Sequence, residues 1–125
     1  MERLKQSGLA AYRKERLGEQ NGRDPITSQP IENPCVDHDH VTGHVRQVLD
    51  RDTNAFEGKV FNAWRRYLRH RGVTLLDAIS GLYGYYCIDY TKNPLHPKHR
   101  TPDEKRIRRN KRAKKRRKNR KPKTP

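Results

Sequence analysis

The sequence predicts a small α+β fold, mostly helical, in which one β-hairpin runs straight into a helix. Three observations carry this expectation. Residues 35–40 and 44–49 are short extended runs, joined by Val41-Thr42-Gly43, a glycine-containing connection that suits a hairpin. Beyond them Phe56, Val60, Phe61, Trp64, Tyr67 and Leu68 recur at helical spacing and predict one buried helix face. Finally, 14 of the 19 residues at 105–123 are Lys or Arg, a composition that builds no core.

The elements follow in order. Residues 2–17 read as a short basic helix whose apolar stripe (Leu4, Leu9, Ala10, Tyr12, Leu17) is irregular and which Gly18 would stop. Residues 18–34, rich in Gly, Pro, Asn and Ser, read as loop. In the hairpin, Val45 and Val48-Leu49 would face a small core, and Asp39 reads as a structural residue orienting backbone groups. Asp52 or Thr53 can cap a helix running to about Arg71, with Gly72 just past its end. Thr74 can cap a third helix with Leu75, Leu76, Ile79, Leu82, Tyr83 and Tyr86 on one stripe. Pro94 and Pro97 mark an extended segment. Pro102 suits the first turn of a last helix, whose basic part is expected to be disordered without nucleic acid. The division expected is therefore 1–18, a basic helix; 19–72, hairpin and helix; 73–100, a helical region for dimerisation; and 101–125, a basic tail.

With 125 residues, 30% hydrophobic, and a mean hydropathy of −1.29, the chain reads as one small domain with a tail. A core this lean calls for help from a second copy or a metal. Most of the net charge of +16 sits in the tail, so the folded part is only mildly basic. No stretch reaches the apolar length of a membrane span, and Met1-Glu2-Arg3-Leu4-Lys5 has no apolar signal run. Cys35 and Cys87 have no metal-type spacing and read as free thiols in a reducing compartment, with a disulfide the less favoured alternative.

The chemistry concentrates in Asp37-His38-Asp39-His40 and in Asn54 at the start of the following helix. A carboxylate and an amide carbonyl are hard oxygen ligands for a cation such as Mg²⁺, which polarises a phosphate. A neutral imidazole beside them can take a proton from water. A hairpin delivering two such side chains and a helix delivering the third is a ββα-metal arrangement, and it resembles the His-Me finger (HNH) nucleases.

The chain further resembles the phage recombination endonuclease VII family. Gln20-Asn21-Gly22 resembles the lead-in to that family's first zinc knuckle. Val36-Asp37-His38-Asp39-His40, with Thr42-Gly43 and Val45-Arg46, resembles its metal-binding hairpin. Asn54-Ala55-Phe56-Glu57-Gly58 resembles the start of its catalytic helix, and Asp89-Tyr90-Thr91-Lys92-Asn93 with His96-Pro97 the segment after its dimerising helices. The resemblance implies a DNA endonuclease using Mg²⁺ (or Mn²⁺), acting as a homodimer in the cytoplasm of an infected bacterium and leaving a 5′ phosphate. It implies Asp37 and Asn54 as metal ligands and His38 as general base. His40 would touch the scissile phosphate, Glu57 would stand outside the metal's ligands, and Arg46 would contact phosphate.

The family's four zinc cysteines fall here on Asp24, Thr27, Asp50 and Thr53, poor ligands for structural zinc, so no structural zinc is expected. Candidates to hold the loop instead are Thr53 or Asp50 as a helix cap, Arg46 or Arg51 paired with Asp24, or stiffening by Pro25 and Pro30. Lys111, Arg112, Lys114, Lys115, Arg116 and Arg117 are the expected DNA contacts of the tail, which reads first as a solvated phosphate binder, otherwise as a segment that folds along nucleic acid, and in composition also resembles a nuclear localisation signal, which a phage-type protein in a bacterium would not need. Taken singly, Asn54 also reads as a helix cap and Glu57 as a capping-box residue. Branched-DNA resolution and homing-type cleavage stay open as roles. So does a non-catalytic nucleic-acid-binding protein derived from a nuclease.

Overall fold

In chain order the helices and strands are α1 (Leu9–Glu19), β1 (Pro34–His38), β2 (Val45–Asp50), α2 (Arg51–Tyr67), α3 (Leu75–Cys87) and α4 (Pro102–Asn119). Short 3₁₀ turns occupy Gln6–Gly8 and Arg69–Arg71. These come from a computed structural model that describes residues 2–120 and 122, so the last few positions of the expected tail lie outside the described residues. The chain divides into two compact units, Met1–Tyr85 and Tyr86–Pro125. The α+β class, mostly helical, is as expected. No helix among the described residues is long and apolar enough to cross a membrane.

The first unit is built on the hairpin. Strands β1 and β2 pair antiparallel, with Pro34 opposite Asp50, Cys35 opposite Leu49, Val36 opposite Val48 and His38 opposite Val45. The register shifts between Val36 and His38, so Arg46 and Gln47 together face the single Asp37: a β-bulge. The turn closes on Asp39, whose Oδ1 accepts the N–H groups of Val41 and Thr42, both at 2.8 Å. Gly43 completes it at φ 78°, a left-handed conformation that costs glycine nothing. The structural reading of Asp39 is thus matched by its bonds.

Helices α1 and α2 each pack against both strands. Gln20 ties α1's end to the hairpin: its side-chain amide donates to the Val48 carbonyl and accepts from the Val48 N–H, both at 2.8 Å. The apolar centre is small, and Val48 and Leu49 are its buried members, as expected of them, while Val45 is half-buried. Two carboxylates, Asp24 and Asp37, are buried beside them. Such groups are tolerated inside only when fully paired.

Asp24 shows how the loop is held. Its Oδ1 accepts from Ile26 N–H at 2.8 Å and Thr27 N–H at 3.2 Å, and its Oδ2 from Asp50 N–H at 2.9 Å. The Thr53 side chain adds a further bond. Burial pushes this carboxyl up, but the bonds from Asp50, Ile26, Thr53 and Thr27 together outweigh it and hold it below the usual carboxylate range. Asp50 works the other way round: its Oδ2 accepts from Glu32 and Asn33 N–H at 2.8 and 3.0 Å, and its Oδ1 from Asp52 N–H at 3.2 Å. The four positions that the resemblance assigns to zinc cysteines therefore form a hydrogen-bonded cross-link between loop and hairpin. The alternative with Arg46 or Arg51 on Asp24 does not occur: Arg46 pairs with Asp37 and Glu57, and Arg51 with Asp52.

Other boundaries differ from expectation for physical reasons. Helix α1 starts at Leu9 and passes through Gly18 to Glu19, because the left-handed turn that ends it lies at Asn21 and Gly22 (φ 53° and 68°). Helix α2 starts at Arg51, since Asp50 supplies the N-cap in place of Asp52 or Thr53. It ends at Tyr67, and the chain continues through the 3₁₀ turn to Gly72 at φ 74°. Of the face expected to be buried, Val60, Phe61, Trp64 and Leu68 are half-buried while Phe56 and Tyr67 are exposed. Trp64 is anchored by its Nε1–H donating to the Val73 carbonyl at 2.8 Å. Thr74 caps α3 as expected, accepting Asp77 N–H at 3.1 Å, and Leu76, Ile79, Leu82, Tyr83 and Tyr86 on that helix are exposed.

In the second unit the basic segment corrects the expectation of disorder: α4 is helical through Asn119. A capping box starts it, with Glu104 N–H on Thr101 Oγ1 at 3.2 Å, Thr101 N–H on Glu104 Oε2 at 2.9 Å, and Pro102 in the first turn. Asp103 and Glu104 lie at the helix's positive end and Arg116, Arg117 and Lys118 at its negative end, so charge and macrodipole agree.

Candidate active site

The bulge is what builds the site. In a ladder continued evenly from Val36 and Val48, Arg46 would stand opposite His38, on the face away from Asp37. The extra residue turns it to Asp37's side. There Arg46 Nε donates to Asp37 Oδ2 at 2.6 Å and Nη2 to Asp37 Oδ1 at 3.0 Å, a two-pronged pair. The same Nη2 reaches Glu57 Oε1 on α2 at 3.0 Å. The bonds to Asp37 raise the guanidinium's pKa above its ordinary value; burial opposes this, and Glu57 adds to the rise. The other Glu57 oxygen, Oε2, is buried without a hydrogen-bond partner among the described residues.

The histidines lie where the strand meets the turn. His38 and His40 are exposed, with ring centroids 4.9 Å apart. His40 stacks on Phe61 of α2 at 5.9 Å, and Phe61 packs on Trp64 at 5.7 Å. Phe61 on one apolar helix face thus braces His40, while the turn before it on the same helix supplies Glu57. Asn54 is half-buried and stands three residues before Glu57 in α2.

Of the residues expected from sequence, ion pairs bring Asp37, Arg46 and Glu57 together, and ring contacts bring His38 and His40 together. Asn54 shares the helix. Arg46, expected as a phosphate contact, is engaged by the two carboxylates. Among the described residues no three His, Cys, Asp or Glu side chains converge as a ready metal cage. The Asp37 carboxylate, the Asn54 carbonyl and the Glu57 oxygen without a partner among the described residues are each hard oxygen donors. Donors of that kind suit a hard cation that keeps several water or phosphate ligands, as Mg²⁺ does, better than zinc.

Two features escape the sequence. Helical spacing marks Phe61 as core and does not show it bracing His40. In the second unit, Lys98, Arg100, Arg108 and Arg109 share a groove with the expected DNA contacts Arg112 and Arg116. The spacing 105, 108/109, 112, 116 on one helix face is the signal that could find them. Lys111, Lys114, Lys115 and Arg117 are exposed on the same helix.

A search of curated proteins finds no match to this chain. The family model described as recombination endonuclease VII matches residues 3–92, a span that holds α1, the hairpin, α2 and α3. The chain belongs to the recombination endonuclease VII family.

Proposed function

We propose that this chain is a DNA endonuclease that hydrolyses phosphodiester bonds with Mg²⁺ or Mn²⁺ at a His-Me finger site. Family membership suggests a nuclease acting on DNA. The observation that supports the finer reading best is the meeting of Asp37 from β1 with Glu57 from α2 on one guanidinium, with the His38–His40 ring pair next along the chain from Asp37.

Asp37 and Asn54 would hold the cation, which supplies polarisation of the phosphate and stabilisation of the leaving 3′ oxygen. His38, exposed at the end of β1, takes the proton of the attacking water. His40 is fixed by stacking on Phe61 and faces the phosphate as it gains charge. Asp39 does no chemistry: with both N–H groups of the turn on its carboxylate it fixes the path of the chain beside the two histidines. The basic groove of α4 holds a nucleic-acid backbone by charge, and its contribution falls as salt rises. Two copies joined through α2 and α3 would offer one site per strand, and the exposed Leu76, Leu82 and Tyr83 support that pairing. Branched DNA and a homing-type site are the two substrates within this reading.

The test is cleavage of a four-way junction and its matching linear duplex, with Mg²⁺ or EDTA, by wild type and His38→Ala. Metal-dependent cutting of the junction alone, lost in the variant, supports resolution of branched DNA. Cutting of both points to a general or homing-type endonuclease. Tight, salt-sensitive binding with no cutting of either would overturn the enzyme reading in favour of a binding protein.

A further inference from the structure

We propose that Arg46 is an internal stand-in for the active-site cation, and that a divalent metal and a DNA phosphate consequently bind this protein cooperatively. The inference rests on the metal-dependent reading above and concerns how the site is loaded.

The geometry begins with two carboxylates that share one counter-ion. The Asp37 side chain is 8% exposed and the Glu57 side chain 18%. Both send an oxygen to the same nitrogen of Arg46, each at 3.0 Å. Carboxylates held this close repel unless a positive charge lies between them. Arg46 is that charge, and the bulge puts it there. The cluster of two carboxylates and one guanidinium still carries a net negative charge, and Glu57 Oε2 is a buried acceptor without a hydrogen-bond partner among the described residues. The site therefore attracts a further cation, but each Asp37 oxygen already accepts a bond from Arg46.

A metal that binds Asp37 on the side the guanidinium occupies must displace a guanidinium bond, and one that binds elsewhere on the carboxylate meets the guanidinium charge at close range. The displaced group has a place to go. Its side chain is 38% exposed, so it lies at the rim of the site. A guanidinium released there presents a planar fork that matches a phosphate. Without DNA, the metal works against the Asp37–Arg46 pair. With DNA, the phosphate takes the guanidinium as the metal takes the carboxylate. Linkage requires the reciprocal effect: metal tightens DNA binding by the factor by which DNA tightens metal binding.

The experiment measures binding, in a His38→Ala background that slows cleavage enough for binding to be read first. Mn²⁺ affinity of the free protein is read by electron paramagnetic resonance. Duplex affinity is read by fluorescence anisotropy with and without Mn²⁺ at matched ionic strength. Added Arg46→Gln should bind Mn²⁺ more tightly than its parent, and Mn²⁺ should tighten duplex binding by the parent roughly 5- to 150-fold, the usual range of coupling between sites. In the Arg46→Gln protein that tightening should largely vanish. Circular dichroism checks folding. If the glutamine variant is unfolded, Arg46→Lys replaces it, because a point charge cannot grip both carboxylates as the fork does. Equal Mn²⁺ affinity in parent and variant, or duplex binding by the parent that ignores Mn²⁺, would overturn the proposal. Absence of Mn²⁺ binding in every protein, together with no metal-dependent cleavage by wild type, would overturn the metal-dependent reading itself, and this inference with it.

Discussion

Removing the Asp24 charge should unfasten the loop from the hairpin. Asp24→Asn keeps size and shape but offers one acceptor oxygen where the carboxylate has two. If that oxygen stays with Ile26 and Thr27 N–H, the new amide NH₂ points at Asp50 N–H, donor against donor. The wild-type bond there is 2.9 Å long and joins residues 26 apart in the chain. A hydrogen bond to a charged group contributes about 1.5–3 kcal/mol, and an unsatisfied buried donor costs about 1–3 kcal/mol. Asp24 is 1% exposed, so water cannot substitute. The expected loss is about 2–4 kcal/mol, a large share of the roughly 5–15 kcal/mol that a domain possesses. Asp24→Ala, which strands all the donors, should lose more. The assay is urea unfolding followed by Trp64 fluorescence, with thermal melts alongside; about 4–8 °C per kcal/mol is expected for a unit of this size.

The pH dependence has a definite sign. Asp24's carboxyl is held below its ordinary range in the folded state, so its contribution is present above the unfolded pKa of about 4 and is lost as pH falls through the lower folded value. The gap between wild type and Asp24→Asn should be full at pH 6 and narrow below about pH 4. A gap under about 0.5 kcal/mol at pH 6, the ordinary scatter of surface changes, would refute the idea that this carboxylate holds the loop.

Further expectations concern chemistry, binding and shape. His38→Ala should lower kcat by about 10²–10⁴, the usual contribution of a general base, and Asp37→Ala and Asn54→Ala should abolish cleavage; in EDTA, DNA affinity measured by gel shift should change little for His38→Ala and Asn54→Ala. Truncation after Thr101 removes α4 and most of its groove. It should weaken DNA binding and flatten its dependence on salt, by about 0.9 in log–log slope for each phosphate no longer neutralised. Gly72→Ala places a side chain at φ 74°, where the left-handed conformation costs about 1 kcal/mol, and chemical denaturation should show a loss of that size.

The hairpin and the helix after it are legible because their signals are local. The two short extended runs, Gly43 between them and the spacing of Val60, Phe61 and Trp64 all act over a few residues. The Asp37-His38-Asp39-His40 run and Asn54 can be named for the same reason, while the roles of His40 and Glu57 come from the family resemblance. What stays hidden depends on partners far along the chain or on cover. Asp24 looks like any loop carboxylate, and only its bond to Asp50 N–H makes it a buried tie. Arg46 follows ordinary strand spacing, and nothing in Val45-Arg46-Gln47 announces a bulge. Periodicity gives α2 a face without saying what covers Phe56 and Tyr67, which are exposed. In α4, like charge argues for disorder, while the Thr101–Glu104 capping box and Pro102 nucleate a helix whose Lys and Arg are good helix formers.

The bulge also makes this site a matter of parity, because the hairpin keeps two counts at once. At its base Val36 faces Val48, and at its tip His38 faces Val45. The two counts disagree by one residue, and in a strand one residue is a change of face. Carried to the tip, the count at the base would send Arg46 to His38 and away from Asp37. Carried to the base, the count at the tip would set Val48 opposite Cys35 and turn the buried pair Val48-Leu49 over. Only the mismatch lets the core and the site both be right, and Gln47, a residue with no role in the chemistry, absorbs it. For this hairpin, then, length is a stricter constraint than composition: many substitutions in the turn leave the counting intact, and a single inserted or missing residue does not.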